Sequence, residues 1–351
     1  MSADEARGRV KCVAWDLDDT VWSGTLLEDG DVHVRPEIVA AMRTLDARGV
    51  LNSIASRNDA DLALARLRAT GLDELVLHPQ IGWGAKSVAI PRIAEQLGIG
   101  LDAIAFVDDQ PFERAEVSFA LPQVLCVDVA DIVSAVATRP EFRPRFVTEE
   151  SRMRRNLYRS EARRREGETE FAGTSEEFLA TLGMTMTTRR ARAEDLQRAE
   201  ELTVRTHQLN STGCTYSHDQ LELLRISPDH LLLVASLSDR FGEYGTIGLA
   251  LVDRGSRPWH LRLLLMSCRV VARGVGTVLL NHILALAHDA GAGVRGDFVH
   301  NDRNRTMYIT YKVAGFDEVS REGNVVVLER GADEAPPPPS YLTLVTEPPG
   351  D

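Results

Sequence analysis

The stretch that decides the fold is KCVAWDLDDT, residues 11–20. Its apolar first half, CVAW, predicts a buried strand, and the acidic residues Asp16 and Asp18 follow at once. Because side chains two residues apart on a strand point to the same side, both carboxylates emerge together at the strand's end. Such a pair can divide its work, one carboxylate acting as a nucleophile and the other as an acid and base.

The sequence around this stretch alternates apolar runs with helix-like segments over residues 10–130: PEIVAAMRTLDARG, VLNSIAS, DADLALARLRATG, LVLHP, SVAIPRIAEQLG and IAFVDD. This alternation predicts an α/β domain over residues 8–140, a parallel sheet with helices on both faces. Ligands of such sheets bind outside the carboxyl ends of the strands. Polar residues fall at those ends here, with Ser56 after NSIA and Asp108 and Asp109 after IAFV.

Carboxylate oxygens are the ligands that Mg²⁺ prefers, so we expect a magnesium site at this edge. The candidate metal ligands are the four carboxylates Asp16, Asp18, Asp108 and Asp109. Hydroxyl and cationic groups complete the set as candidate phosphate or substrate ligands: Thr20, Ser56, Arg57 and Lys86. The alternative for the acidic motif alone is a turn with solvated aspartates.

Composition limits the classes of partner. A formal net charge of -12 argues against nucleic acid as a general partner, since phosphate backbones attract clustered Lys and Arg. No apolar run approaches the roughly 20 residues that span a bilayer, and the N-terminal residues do not resemble a signal peptide. Four widely spaced cysteines indicate free thiols. We therefore expect a cytoplasmic protein without a membrane partner.

The rest of the chain has a different organisation. Residues 141–182 are rich in Arg and predict a helical connector, and residues 183–331 predict a second α/β domain. In that domain ARGVGTVLLNHILALAHDAG predicts a helix opened by glycines, and HLRLLLMSCRV predicts a long strand. Residues 332–351 contain PPPP and predict a disordered or extended tail.

The order of Asp16-Leu-Asp18-Asp-Thr20, Ser56, Lys86 and the Asp108-Asp109 pair resembles the haloacid dehalogenase superfamily. The resemblance implies that Asp16 is the nucleophile and Asp18 the acid and base. It implies phosphate contacts for Ser56 and Lys86 and metal ligation by Asp108 and Asp109. The gaps between the motifs are too short for a separate cap domain, which leaves the predicted site open to large partners.

Longer phrases resemble a narrower group, the FkbH-like family of polyketide pathways: KCVAWDLDDTVWSG, SIASRND, PQIGWGAKS, FVDDQPFERAEV, RTHQLNSTGCTYS and LLLMSCRVVARGVG. These phrases lie within residues 10–330. The resemblance implies that the protein takes a three-carbon unit from 1,3-bisphosphoglycerate, loses phosphate, and loads a glyceryl group onto the phosphopantetheine thiol of an acyl carrier protein. Other enzymes would then oxidise that unit to hydroxymalonyl or methoxymalonyl extender units.

The family is thought to pass the glyceryl group through an enzyme cysteine. Cys268 is our candidate, because Arg269, Arg273 and a helix start follow it, and cationic surroundings favour a thiolate. Arg269 and Arg273 are themselves candidate phosphate or substrate ligands. Cys12 and Cys126 lie in apolar strands and are expected to be inert, while Cys214 lies in a polar loop.

Proton transfer to and from that thiol needs a base. His207 is the candidate base, with His300 as a second possibility and a structural role as the alternative for both. Asn210 and Asn304 are candidate oxyanion donors, and loop bonding or helix capping is the alternative for each.

The second domain also resembles the GCN5-related N-acetyltransferase fold, through RGVGTVLL at a helix start and NRTMYITYKVAGF near the end. In that fold, backbone N–H groups of a glycine turn hold the pyrophosphate of acetyl-CoA. Here Val271 and Ala272 replace residues usual in the turn, so the groove is expected to take the pantetheine arm of a carrier protein instead.

One basic cluster interrupts the acidic chain: Arg152, Arg154, Arg155, Arg159, Arg163, Arg164 and Arg165. It is a candidate docking surface for an acidic carrier protein. The alternative is a solvated helix whose arginines pair with nearby acids. For the protein as a whole, the alternative function is a small-molecule phosphatase with a non-catalytic second domain.

Overall fold

In the computed structural model, residues 10–206, 209–301 and 304–347 are described, and the chain divides into two compact units, Met1–Arg159 and Ser160–Asp351. The first unit contains a five-stranded sheet and a two-stranded hairpin. Its strands are β1 (Cys12–Trp15), β2 (Trp22–Ser23), β3 (His33–Val34), β4 (Leu51–Ser56), β5 (Gln80–Ile81), β6 (Ile104–Asp108) and β7 (Leu125–Asp128).

The five-stranded sheet has the order β5-β4-β1-β6-β7, and all its pairs are parallel. Strands β2 and β3 form the antiparallel hairpin, in the flap-like segment between the first motif and the next helix. The helices up to the connector are α1 (Leu26–Asp29), α2 (Pro36–Ala47), α3 (Ala60–Ala69), α4 (Lys86–Leu97), α5 (Pro111–Ala120), α6 (Val129–Thr138) and α7 (Glu149–Arg152).

Alternation along β1 explains why helices cover both faces of this sheet. Val13 and Trp15 belong to one apolar cluster, with residues of α2 and α6. Cys12 and Ala14 face the other way, into a cluster with residues of α4 and α5. A strand whose side chains are apolar on both sides is stable only when both faces are covered, which is the arrangement that parallel sheets require.

The connector is largely one helix, α8 (Arg154–Glu170), and the boundary between the two units falls within it. The second unit continues with α9 (Ser175–Thr181), α10 (Leu196–Arg205), α11 (His218–Ile226), α12 (Val275–Asp289) and α13 (Arg305–Val313). Its strands are β8 (Met184–Arg190), β9 (His230–Asp239), β10 (Gly242–Asp253), β11 (Trp259–Met266), β12 (Val294–Val299), β13 (Asp317–Glu322), β14 (Val325–Arg330) and β15 (Leu342–Thr346).

These strands form one sheet in the order β13-β14-β12-β11-β10-β9-β8-β15. The β11–β12 and β15–β8 pairs are parallel and the others are antiparallel. Helix α12 begins after Gly274, whose φ of 71° is the left-handed conformation that glycine adopts without strain. Its apolar residues Leu279, Leu280 and Ile283 are completely buried.

The structure decides between two alternatives for the C-terminal residues and shortens one predicted strand. Of the disordered and extended alternatives for residues 332–351, Leu342–Thr346 takes the extended one, since it pairs with β8 along its whole length and Leu342 is buried. This LTLV segment after the prolines has the apolar, β-branched character of a strand. The long strand predicted through Cys268 ends at Met266, and a 3-10 turn follows over Cys268–Arg273.

The predicted fold class is confirmed at the level of architecture: the first unit is a parallel sheet with helices on both faces and no large inserted cap, and the second is an α/β unit built around one mixed sheet. Among the described residues, no helix combines the length and the hydropathy needed to cross a bilayer.

Candidate active site

Strands β1 and β6 bring the first two carboxylates of the site together. They are parallel neighbours with Trp15 opposite Val107, and the Asp16 N–H donates to the Val107 carbonyl at 2.9 Å. Asp16 therefore continues the ladder next to Asp108. Both are buried, with exposed fractions of 4% and 0%.

Asp109 completes the group. One carboxylate oxygen from each of Asp16, Asp108 and Asp109 lies within 4.8 Å of the others. This is the meeting of carboxylates that the sequence predicted. Three hard oxygen donors at one strand edge fit a divalent cation such as Mg²⁺, which prefers carboxylate ligands.

Lys86, the first residue of α4, reaches into the same group. Its ammonium nitrogen lies 2.8 Å from Asp16 Oδ1 and 2.5 Å from Asp108 Oδ2. Burial raises the pKa of Asp16 to about 6, although Lys86 pulls it down, and Asp108 adds to the rise. Burial lowers the pKa of Lys86, but the two carboxylates outweigh it and the net direction is upward. Three carboxylates facing one ammonium leave a negative surplus that a cation would offset.

Thr20 was predicted to contact phosphate, and the structure gives its hydroxyl another partner. Thr20 is completely buried, accepts a bond from the Asp109 N–H at 3.1 Å, and donates to Asp109 Oδ1 at 3.3 Å. These bonds orient Asp109, and contact of Thr20 with phosphate remains a prediction. The spacing of the motif indicated that the Thr20 hydroxyl lies near Asp16. Its hydrogen bond to Asp109 could not be predicted, because it depends on the turn between Asp16 and Thr20.

The Asp18 side chain is not among the three carboxylates that meet, and its role as a metal ligand remains a prediction. Its Oδ1 accepts from Trp22 Nε1 at 2.7 Å and from the Leu26 N–H at 3.2 Å. Its Oδ2 accepts from Asn58 Nδ2 at 3.0 Å and retains a second acceptor site. Asn58 and Trp22 thus hold the predicted acid and base, and the sequence reasoning missed both. Their positions near the motifs SRND and DDTVW were the available signal.

Ser56 ends β4 beside this group. The residue is 3% exposed, and its hydroxyl lies near enough to Asp16 to favour the ionised carboxylate. It nevertheless makes no hydrogen bond of normal geometry within the described part of the chain. A buried hydroxyl without a partner is costly, so this one is available to a phosphoryl oxygen.

Arg57 was predicted to contact phosphate or substrate, and its recorded contacts lie elsewhere. Its Nε donates to the Gly84 carbonyl at 3.3 Å, and Nη1 lies 3.0 Å from Glu113 Oε1.

The predicted thioester site in the second unit is only partly described. His207 and the Cys268 side chain lie outside the described residues. Arg269 Nε donates to Ser267 Oγ at 3.2 Å. Arg273 is 6% exposed, with Nη2 4.0 Å from Glu168 Oε2. The roles assigned to these four residues remain predictions.

Two amides proposed as oxyanion donors are used in loop bonding. Asn304 Nδ2 donates to the Asn210 and Val299 carbonyls, and Asn210 Nδ2 donates to the Cys214 carbonyl at 3.3 Å. The structure therefore favours the bland alternative for both residues.

The other cysteines differ in exposure. Cys12 is completely buried and Cys126 is half-buried, and burial raises the pKa of each thiol. Cys214 is exposed. Burial of Cys12 agrees with the expectation of an inert core thiol.

Much of the Arg cluster is engaged within its own unit. In the first unit Arg154, Arg155 and Arg159 bond to the Gly49 carbonyl, Asp46 and the Asp73 carbonyl. In the second, Arg164 is buried against Asp239. Arg152 and Arg165 remain 64% and 68% exposed. Arg155 and Arg164 thus pair with acids as the alternative expects, and the exposed Arg152 and Arg165 also lie within 4 Å of Glu149 and Glu161.

The fold and the carboxylate group define a two-unit α/β protein whose first unit has a group of three carboxylates that could hold a divalent metal ion.

No family model matches the chain, and the comparison with curated proteins found no match. Among solved structures, the chain is similar to the N-terminal part of BF1531 from Bacteroides fragilis, described as containing a phosphatase domain complexed with Mg. The identity is 27%, the TM-score is 0.36, and the match covers 39% of this chain. The present chain spans 42% of that one.

The other comparisons cover a similar share of the chain. A PaiA N-acetyltransferase from Thermoplasma acidophilum in complex with coenzyme A shares 18% identity with a TM-score of 0.35, and the match covers 42% of this chain and 98% of that one. The ribosomal-protein-S18-alanine N-acetyltransferase from Escherichia coli shares 14% identity with a TM-score of 0.33, covering 43% and 96%.

Proposed function

We propose that the first unit is a Mg²⁺-dependent phosphatase that uses Asp16 as its nucleophile. The observation that carries this proposal is the meeting of Asp16, Asp108 and Asp109 at one edge of a parallel sheet, with the Lys86 ammonium bonded to the first two. A bound Mg²⁺ would offset the negative charge of these carboxylates and of the incoming phosphate.

The residues of the chain divide the reaction between them. Asp16 attacks phosphorus and forms an aspartyl phosphate as the bond to the leaving oxygen breaks, and Asp18 gives that oxygen a proton. Water then attacks the same phosphorus, Asp18 takes its proton, and phosphate and free Asp16 result. Lys86 and the unpartnered Ser56 hydroxyl stabilise the charge on the phosphoryl oxygens.

Phosphate release from p-nitrophenyl phosphate and from 1,3-bisphosphoglycerate, with and without Mg²⁺, tests this proposal. We expect Mg²⁺-dependent release that Asp16→Asn abolishes, and a phosphorylated peptide containing Asp16 after rapid acid quenching. Release that persists in Asp16→Asn would contradict the assignment of the nucleophile.

We further propose that the substrate is 1,3-bisphosphoglycerate and that the glyceryl group passes to an acyl carrier protein, as the sequence resemblance implies. A thiol, with Cys268 as the candidate, displaces phosphate from the acyl carbon to form a thioester. The ester phosphate is hydrolysed at Asp16. The carrier's phosphopantetheine thiol then attacks the thioester and frees the enzyme thiol, with His207 as the candidate proton carrier. The carrier substrate places this reaction in the cytoplasm.

The mass of the carrier protein decides this finer proposal. After incubation with enzyme, Mg²⁺ and 1,3-bisphosphoglycerate, we expect the holo carrier to gain one glyceryl group, and Cys268→Ala to prevent the gain. No gain with the unaltered enzyme, while phosphate is still released, would favour the alternative of a small-molecule phosphatase with a non-catalytic second unit.

A further inference from the structure

Arg57 joins two segments of the first unit that lead to different residues of the candidate site. Its Nε donates to the carbonyl of Gly84, two residues before Lys86. Its Nη1 lies 3.0 Å from the carboxylate of Glu113, in the first turn of α5, the helix that follows Asp109. One guanidinium therefore links the approach to Lys86 with the helix beyond the carboxylate pair.

The ion pair between Arg57 and Glu113 matters most for Glu113, because the Glu113 carboxylate is the buried partner. The Glu113 side chain is only 5% exposed, against 39% for Arg57. Its second oxygen, Oε2, is buried and has no hydrogen-bond partner among the described residues. A buried carboxylate is costly unless a cation accompanies it, so the loss of Arg57 would leave α5 with a charge that it cannot accommodate in place.

A second contact ties the same two elements together. Ser87, which follows Lys86, donates a short hydrogen bond from its hydroxyl to Glu116 Oε1, one helical turn beyond Glu113. The start of α4 is thus fixed to α5 on both sides of Lys86. The Lys86 ammonium, bonded to Asp16 and Asp108, depends on where that helix begins.

We propose that Arg57 is a positioning residue: through Glu113 and Gly84 it sets the Lys86 ammonium against Asp16 and Asp108, and it does not bind the substrate. This inference rests on the proposed phosphatase function and replaces the expectation that Arg57 contacts phosphate. Because a displacement of about 1 Å at a reacting centre can cost about a hundredfold in rate, the effect of Arg57 appears in kcat.

The test compares Arg57→Ala, Glu113→Gln and the double variant, with p-nitrophenyl phosphate and Mg²⁺. Each single variant is expected to lower kcat by about 10- to 100-fold and to change KM by less than about threefold. The double variant should be no slower than the slower single variant, because the two residues act as one unit. Arg57→Lys should recover part of kcat, since an ammonium keeps the charge opposite Glu113 without the planar fork.

Arg139 provides a matched control. Its side chain is also 39% exposed and lies 3.0 Å from a carboxylate, that of Glu141, but none of its recorded contacts reaches the candidate site. Arg139→Ala is expected to keep the kcat of the unaltered protein.

Two results would overturn the inference. The first is an unchanged kcat in Glu113→Gln together with a raised KM in Arg57→Ala, which would make Arg57 a substrate ligand. The second is unchanged amide hydrogen exchange over residues 82–88 in both variants, where we expect exchange to be at least about tenfold faster. This readout needs no turnover. Hydrogen exchange therefore tests the positioning role of Arg57 separately from the proposed function. The proposed function would fail if the unaltered protein released no phosphate.

Discussion

Each of the two units buries a charged group, and the two groups are built differently. In the first unit, three carboxylates face one ammonium, and the Ser56 hydroxyl beside them has no partner among the described residues. In the second, Arg164 bonds to both oxygens of Asp239 at 2.7 and 3.0 Å and to the Gly242 carbonyl at 3.0 Å. Tyr244 also donates to Asp239 at 2.9 Å.

The buried group around Arg164 in the second unit is built to stabilise the fold, whereas the group around Asp16 in the first unit is suited to binding a ligand. Asp239 balances the charge of Arg164, and the partly exposed Glu161 carboxylate lies 3.6 Å from the same guanidinium. The centre of the Tyr244 ring lies 3.7 Å from the guanidinium carbon. The group around Asp16 has a surplus of negative charge and a buried hydroxyl to spare, features that cost free energy in a protein with nothing bound. Phosphate and a divalent cation together would satisfy both. The predictions below test that contrast.

The largest expected effect is the loss of catalysis in Asp16→Asn. Removal of the nucleophile should lower kcat for phosphate release by about three orders of magnitude or more. Burial raises the pKa of Asp16 from 3.8 to about 6, so ionisation of this carboxylate destabilises the metal-free fold at neutral pH. We therefore expect the Tm of the metal-free variant at pH 7 to be equal or higher. A lower Tm in calorimetry would mean that Asp16 stabilises the fold, and the contrast between the two groups would be lost.

In the second unit, Asp239→Asn is expected to lower stability and to leave phosphate release unchanged, the opposite of Asp16→Asn. Asp239→Asn removes the nearest counter-charge of the Arg164 guanidinium, 1% exposed, and leaves, among the described residues, only the carboxylate of Glu161 at 3.6 Å, which should cost about 3 kcal/mol of stability. Calorimetry measures the loss, and phosphate release at low temperature should be unchanged. Replacing the group as a whole, with Arg164→Met, Asp239→Leu and Tyr244→Phe, should cost less than Asp239→Asn alone. A larger loss in the triple variant would show that the group contributes more than charge balance.

The addition of Mg²⁺ is expected to stabilise the first unit. At a concentration of about 100 times its Kd, a ligand that binds only the folded state adds about 2.7 kcal/mol. The Tm should therefore rise with Mg²⁺ and fall back with a chelator. Asp108→Asn should abolish the rise and Asp239→Asn should retain it. An equal rise in Asp108→Asn would mean that the cation binds elsewhere.

The sequence predicted the positions of site residues better than their partners. The apolar runs in the sequence identify the strands that precede Asp16, Ser56 and Asp108. Because these strands are parallel neighbours, their carboxyl ends lie at the same edge of the sheet and bring the three residues together there. The bonds of Thr20 and Asp18 could not be predicted, because they depend on the turn after β1 and on Asn58, which is distant in sequence.

The same limit applies outside the site. The strand Leu342–Thr346 follows a proline run that suggested a disordered or extended tail, and its place at the sheet edge depends on a partner, β8, about 150 residues earlier in the chain. The ion pair of Arg57 with Glu113 was not predicted for the same reason. Glu113 lies on a helix about 56 residues further along the chain, and nothing local in the sequence marks it as a partner of Arg57.

The smallest effects are expected from removing one hydroxyl in each unit. Ser56→Ala deletes a buried hydroxyl that makes no hydrogen bond of normal geometry, so its stability should stay within about 0.5 kcal/mol of the unaltered protein. Its kcat/KM for phosphate release should nevertheless fall about tenfold, since one stabilising contact to a phosphoryl oxygen is worth about 1.4 kcal/mol. Tyr244→Phe deletes a hydroxyl that donates to Asp239, so it should lose about 1 kcal/mol of stability and none of the activity. If Ser56→Ala lost stability and kept its kcat/KM, the hydroxyl would serve the fold, and the unpartnered group of the first unit would no longer indicate where phosphate binds.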